Sequence, residues 1–267
     1  MGNFNKQKAF GQHFLTDKKV IDAIVGHAKG ALERNRGSAL LEIGPGEGAI
    51  TRPLIEALNV DQPFYIAERD RELIAYWKPE TRFAAILEGD FLDQTDEKLK
   101  AIGPMVIASN LPYSAGTAIV IRLCKMTDQI SEMVLMFQAE VAKRIYSPAS
   151  TPDRGSLSLF IQNDWEVERL LVVKPDAFKP PPKVMSEVIS LKRRTEPKIK
   201  LDSEQKHIAW NDLLKTAFKH RRKMLRGNFS GSAWQAAFVA SGVDPTKRAE
   251  SLEWEDWIQI WKKRFVS

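Results

Sequence analysis

Residues 39–48 read ALLEIGPGEG, and the fold follows from how this stretch is read. A run apolar except for Glu42 passes directly into a corner holding Gly44, Gly46 and Gly48. Short, continuously apolar runs bounded by turn residues are typical of strands buried on both faces of a parallel sheet. Glycines immediately after such a strand permit a tight turn and let a ligand approach the backbone amides.

Further along the chain the same kind of run returns as FYIAER (64–69), FAAILEGD (83–90), MVIASNL (105–111) and MVLMFQ (133–138), with helical patterns between. Spacings of roughly twenty to thirty residues are those of βαβ units, so the sequence predicts an α/β fold with a parallel sheet. SEVISLKRR (186–194) reads as a last strand. STPDRGS (150–156) reads as a loop, FKPPPKV (178–184) as a stiff extended corner, and TEPKIKLDS (195–203) as a linker. The expected domains are residues 1–195 and a helical C-terminal domain, residues 196–267.

A glycine-rich turn alone would also suit a dinucleotide. Here the glycines run Gly-Pro-Gly-Glu-Gly without the longer final gap, and Glu42 stands where a pyrophosphate would be repelled. An acid at that point suits a cationic ligand such as S-adenosylmethionine, which carries a sulfonium and an ammonium. The second strand ends in Glu68, placed to accept both hydroxyl protons of a ribose, and the third in Asp90, placed to accept from an adenine amine. Any one of these acids suits a solvated strand end. Together, at the ends of successive strands, they line one crevice.

The fourth strand ends in NLPY (110–113). The oxygen of Asn110 and the carbonyl of Leu111 or Pro112 can accept two N–H bonds from a planar amine. Proline stiffens the turn and directs its carbonyl outward. Tyr113 offers a flat face for a base, worth about 1–3 kcal/mol. This corner suits the exocyclic amine of a nucleobase.

The chain has 267 residues, 43% hydrophobic and 28% charged, as expected of a globular protein. It contains no apolar run of the roughly 18–20 residues that span a bilayer, and its start lacks the hydrophobic block of a secretory signal. A single cysteine, Cys124, and four scattered histidines point to a cytoplasmic protein with no disulfide framework, no metal and no membrane partner. The net charge is +6, yet residues 192–226 hold twelve Lys/Arg against four Asp/Glu, so the rest of the chain sums to −2. Basicity this local favours a polyanion-binding surface. Within it, Ser203 is an expected N-cap for a helix running to Arg226 and stopping at Gly227. On that helix Lys215, Lys219, Arg222 and Arg226 would form one stripe facing a phosphate backbone, beside Lys223. Arg221 falls on the apolar side among Trp210, Leu214 and Phe218, where it needs a partner. Trp254, Trp257 and Trp261 share a face and are expected in the core.

Seven segments then occur in a distinctive order: FGQHFL (10–15), EIGPGEG (42–48), NLPY (110–113), QAEVAKR (138–144), FKPPPKVMS (178–186), AFKHRRK (217–223) and DPTKRAE (244–250). In this the chain resembles the ribosomal RNA adenine dimethyltransferases, and among them the bacterial small-subunit type, across residues 10–252. The resemblance implies a Rossmann-like class I methyltransferase sheet and a small C-terminal RNA-binding domain. It implies transfer of four methyl groups from S-adenosylmethionine to two adjacent adenosines of 16S rRNA, in a hairpin loop near its 3′ end. The enzyme would act as a monomer on the small ribosomal subunit and take part in its biogenesis. His13, Leu15, Gly44, Gly46, Glu68, Asp90 and Asn110 would hold the cofactor. Asn110, Leu111, Pro112 and Tyr113 would hold the base, with Phe178 closing from the opposite side, and Lys215, Lys219, Arg221, Arg222, Lys223 and Arg226 would bind RNA. Two departures stand out: Ser114 follows the NLPY tyrosine where many members have Asn, and His13 stands where Asn is common. The alternatives are an Erm-type enzyme acting on large-subunit rRNA, a DNA adenine methyltransferase, whose corner usually begins with Asp or carries a second proline, and a mainly non-catalytic assembly factor for the small subunit.

Overall fold

The ALLEI run forms a strand with every residue buried, and the sheet grows outward from it. The computed structural model describes residues 13–265. In chain order the elements are β1 (Phe14–Leu15), α1 (Lys18–Arg34), β2 (Ala39–Ile43), α2 (Thr51–Ala57), β3 (Phe64–Glu68), α3 (Arg71–Trp77), β4 (Ala85–Glu88), α4 (Asp96–Lys100), β5 (Met105–Asn110) and α5 (Gly116–Cys124). There follow β6 (Ile130–Gln138), α6 (Ala139–Tyr146), α7 (Ser156–Asp164), β7 (Trp165–Val173), β8 (Phe178–Lys179) and β9 (Ser186–Arg193), then α8 (Glu204–Ala217), α9 (Leu225–Phe229), α10 (Gln235–Ser241) and α11 (Trp254–Phe265).

Seven strands form one sheet in the order β4-β3-β2-β5-β6-β9-β7, with β2, β3, β4, β5 and β6 mutually parallel. The chain winds from β2 through β3 to β4, then returns to place β5 on the other flank of β2. In a doubly wound sheet, that reversal opens a crevice at the C-terminal ends of the two central strands. Gly44 and Asn110 stand at those two ends. The Ser109 hydroxyl donates to the carbonyl of Ile43, tying the strand ends together beneath the crevice. β7 was not foreseen. Its sequence, WEVERLLVV, mixes charged with apolar residues and lies half in solvent, so it lacks the continuous apolar character of the central strands.

Two compact units divide the chain: the described residues through Ala139 with Arg169–Leu191, and Glu140–Glu168 with the residues from Lys192 onward. They interleave, whereas the sequence reading places a single boundary at 195/196. The segment 140–168 belongs with the C-terminal residues because Leu159 of α7 is buried in the core formed by Trp210, Leu213, Leu214, Phe229, Trp234, Trp257 and Trp261. Trp254 is partly buried against the same core.

The helix expected from Ser203 to Arg226 is two helices. Ser203 caps α8 as anticipated, its hydroxyl accepting from the amide of Lys206 at 3.3 Å. α8 ends at Ala217, and Gly227 lies inside α9 instead of terminating a long helix. Asn228 holds the break: its Nδ2 donates to the carbonyl of Ala217 at 2.7 Å and of His220 at 3.3 Å, satisfying acceptors a helix end leaves open. A continuous helix would also set like charges four residues apart at Lys215–Lys219, Lys219–Lys223 and Arg222–Arg226, which is unfavourable. Lys215, Lys219, Arg222, Lys223 and Arg226 are all exposed, but spread over the end of α8, the following turn and α9 in place of one helical stripe. Arg221 has its partner: Nη2 donates to the carbonyls of Pro152 and Arg154, at 2.5 and 3.0 Å.

The segment 195–203 has no regular structure but is fastened. Asn163 donates from Nδ2 to the carbonyl of Ile199 at 3.0 Å and accepts its amide at 2.9 Å, with both residues buried. Replacing Asn163 with Ala strands two buried backbone groups, so Asn163→Ala should cost about 2–4 kcal/mol, read as an earlier denaturant midpoint in tryptophan fluorescence.

Candidate functional site

The crevice at the sheet reversal is a cavity of about 320 Å³, within the range of small-molecule sites. Its wall includes His13, Leu15, Glu42, Gly44, Gly46, Glu68, Asp90, Asn110, Leu111, Pro112 and Tyr113. Strand ends far apart in sequence thus converge on one space.

The glycine turn is shaped by backbone sterics. Gly44, Gly46 and Gly48 all have positive φ, at 71°, 54° and 97°. At Gly48 a side chain would also strike Trp77, since a Cβ there would lie 2.7 Å from its ring. Trp77, on α3, is buried and donates from Nε1 to the carbonyl of Gly46 at 2.9 Å, so it braces the turn from beneath. Nothing in the sequence of α3 marks Trp77 as a support for this loop.

The acids differ in their surroundings. Glu68 is 7% exposed, and its Oε1 accepts the amides of Arg69 and Asp70 at 2.8 and 2.9 Å, which fixes the carboxylate at the strand end. Asp90 caps the short turn Phe91–Asp93 through the amide of Leu92 at 2.9 Å and lies 3.6 Å from the Arg69 guanidinium. Glu42 is 1% exposed, and its Oε2 has no hydrogen-bond partner among the described residues. Burial, partly opposed by the nearby Thr51 hydroxyl and reinforced by the negative charge of Glu68, pushes the Glu42 carboxyl up to about 8. A cation in the cavity would relieve that cost.

At the end of β5, Leu111 donates its amide to Met136 at 3.3 Å. The carbonyl of Pro112 accepts from Ala115 at 3.1 Å and Gly116 at 2.8 Å, so it closes the first turn of α5. Both its lone pairs are engaged within the fold, so the Pro112 carbonyl does not point outward as the sequence suggests. Tyr113 is half-buried, with its hydroxyl 2.6 Å from that of Ser186. His13 lies beside it, ring centroids 5.9 Å apart, and its Nδ1 donates to the carbonyl of Pro180 at 2.7 Å.

Phe178 is not in the cavity wall. It is 2% exposed, in a core cluster with Leu15, Val134, Met136 and Val188, and its backbone pairs with that of Leu15. The resemblance has Phe178 closing over the base opposite Tyr113; here β8 pairs antiparallel with β1 and the ring is buried in the core instead. Among the described residues no group of three or more His, Cys, Asp or Glu is placed to hold a metal, and no helix is long and apolar enough to cross a membrane.

The ribosomal RNA adenine dimethylase family model matches residues 3–264. The chain belongs to this family. The dimethylase is 35% identical over 256 residues to the ribosomal RNA small subunit methyltransferase A of Laribacter hongkongensis, covering 95% of this chain and 94% of the relative. It is 37% identical over 261 residues to the protein of the same name from Thiobacillus denitrificans, covering 95% and 96%. Among solved structures, a dimethyladenosine transferase from Plasmodium falciparum superposes with a TM-score of 0.70 at 20% identity, covering 94% of this chain and 98% of that one. The 23S rRNA methyltransferase ErmE superposes at 0.66 with 23% identity and the same coverage. The fold is therefore the Rossmann-like methyltransferase sheet, and the protein is an rRNA adenine dimethyltransferase.

Folded Glu42 keeps its proton to about pH 8, whereas the unfolded chain releases it near 4.5. The native state thus binds the extra proton between those values, and this group's contribution to stability falls as pH rises through that window. Melting temperatures from pH 5 to 8 should decline less steeply in Glu42→Gln than in the wild type.

Proposed function

We propose that this dimethylase uses S-adenosylmethionine to dimethylate the exocyclic amines of two adjacent adenosines in the hairpin loop near the 3′ end of 16S rRNA. The observation that carries the reading is that the amide-and-carbonyl corner of Asn110 and Leu111 shares one cavity with the glycine turn and the strand-end acids. The small subunit is favoured over the large because the relatives at 35% and 37% identity carry the small-subunit name, while ErmE stands at 23%.

The residues present fit the cofactor. An unpartnered, buried carboxyl oxygen of Glu42 in the cavity wall suits a positively charged ligand. Glu68 would take the ribose hydroxyls and Asp90 the adenine amine. Gly44 and Gly46 would leave room for the ligand against the backbone, with His13, Leu15 and Asn110 completing the wall. When bound, the cofactor supplies an electrophilic methyl on sulfur.

The chain's own residues act on the base. An adenine amine is a poor nucleophile because its lone pair is delocalised into the ring. Accepting its two N–H bonds at the Asn110 oxygen and the Leu111 carbonyl favours the pyramidal nitrogen and stabilises the positive charge that develops there. No strong general base is required, since the methylated ammonium loses its proton readily to water. The face of Tyr113 stacks the extruded base, whose unstacking costs less in a loop than in a duplex. The remaining catalysis is positioning, with nitrogen and methyl held roughly 3 Å apart. Lys215, Lys219, Arg222, Lys223 and Arg226 would grip the phosphate backbone, while Arg221 holds the loop at 152–154.

Incubation of the protein with labelled S-adenosylmethionine and unmethylated small subunits should label two adjacent adenosines; label on large subunits alone would reject the assignment. Asn110→Ala should lower methyl transfer at least about a hundredfold, a far larger loss than the fall in cofactor affinity read by calorimetry. Charge reversal at Arg222 and Lys223 should weaken subunit binding and flatten its salt dependence by about two counterions' worth, leaving cofactor affinity unchanged.

A further inference from the structure

We propose that Ser186 is a positioning residue for methyl transfer, acting through the hydroxyl of Tyr113 to fix the ring on which the target base rests. The inference builds on the reading of Tyr113 as the base platform. Stacking needs only an aromatic face, and a phenylalanine would provide one. This ring instead carries a hydroxyl, and that hydroxyl meets a fully buried serine 73 residues away at 2.6 Å.

Ser186 is well placed to act as a fixed post. It opens β9, two residues before core residue Val188, and the carbonyl of the preceding Met185 accepts the amide of Ala139 at 2.9 Å. The serine is absent from the cavity wall, so its influence on the chemistry must pass through Tyr113, which is part of that wall. Burial, only partly offset by Ser186, pushes the pKa of the Tyr113 phenol above its ordinary value, so the phenol stays protonated and the pair keeps the hydrogen it shares. On another side the ring is flanked by His13, itself tethered to the carbonyl of Pro180. Tyr113 is thus held at its tip by β9 and beside its ring by the segment preceding β1. A phenol pinned at its oxygen cannot swing about its side-chain torsions without breaking that bond. Where catalysis rests on placing a weak nucleophile, an ångström of play in the platform lowers the rate.

The test is steady-state methylation of unmethylated small subunits by Ser186→Ala, Tyr113→Phe, the double variant and Tyr113→Ala, with cofactor affinity and melting temperature measured alongside. Ser186→Ala and Tyr113→Phe should each lower kcat about tenfold, with the KM for subunits and the cofactor affinity near wild type. The double variant should be no slower than either single, because both remove one bond. Tyr113→Ala should be slower than all three. If Tyr113→Ala is crippled while Tyr113→Phe keeps wild-type kcat, the hydroxyl has no positioning role and the inference fails. Losses that multiply in the double variant overturn it too, since the two groups then act separately. If Tyr113→Ala itself methylates normally, the platform reading fails first. Should Ser186→Ala fold poorly, Tyr113→Phe breaks the same bond from the partly exposed end and decides alone.

Discussion

The structure depends on a reversal of winding. A parallel sheet built outward from β2 leaves the other flank of that strand open until β5 fills it. The chain turns away to opposite flanks of the sheet after these two strands, which leaves a crevice at their C-terminal ends. The site is made of what the chain puts at this uncovered edge: glycines that keep the backbone low, acids at the ends of β2 and β3, and an amide at the end of β5. The Ser109–Ile43 hydrogen bond joins the two strands just below. With that bond in place, the turn at Gly44 and the corner at Asn110 become one rigid rim.

The cost of this design falls on Glu42. A carboxyl enclosed by protein, near a second acid and with one oxygen unpartnered, is retained against the interest of the empty fold. Strain of this kind is expected at functional positions, where local stability is given up for affinity. Trp77 works in the opposite sense. It fills the space under Gly48 that any side chain would need and donates a hydrogen bond to the turn, so the turn gains support from outside itself.

Much of this was legible in the sequence because burial on both faces writes itself as unbroken apolar runs. β2, β3, β5 and β6 were found that way, and the positions of Glu68, Asp90 and Asn110 at strand ends followed. What was not legible depended on partners distant along the chain. Phe178 is expected over the base until β1, more than 160 residues earlier, is paired with β8. The carbonyl of Pro112 reads as free until α5 takes it for its first turn. The long basic helix is expected because apolar periodicity persists across the break, but α8 ends at Ala217, whose carbonyl is taken by the side chain of Asn228. Trp77 carries no local signal, and Ser186, although it closes the FKPPPKVMS segment, gives no sign there of Tyr113 as its partner, since each role is defined by what the side chain touches.

The interleaving of the two units bears on how the chain is made. α7 leaves the translating machinery with Leu159 uncovered, and the residues that bury it, from Trp210 to Trp261, follow some fifty to a hundred positions later. The first unit can condense around its parallel strands early, but it must wait for Arg169–Leu191 to complete itself, by which time the second unit is still missing most of its tryptophans. Order of synthesis therefore leaves Leu159 of α7 unsheltered through more than a third of elongation, a window in which nascent-chain chaperones have a surface to hold.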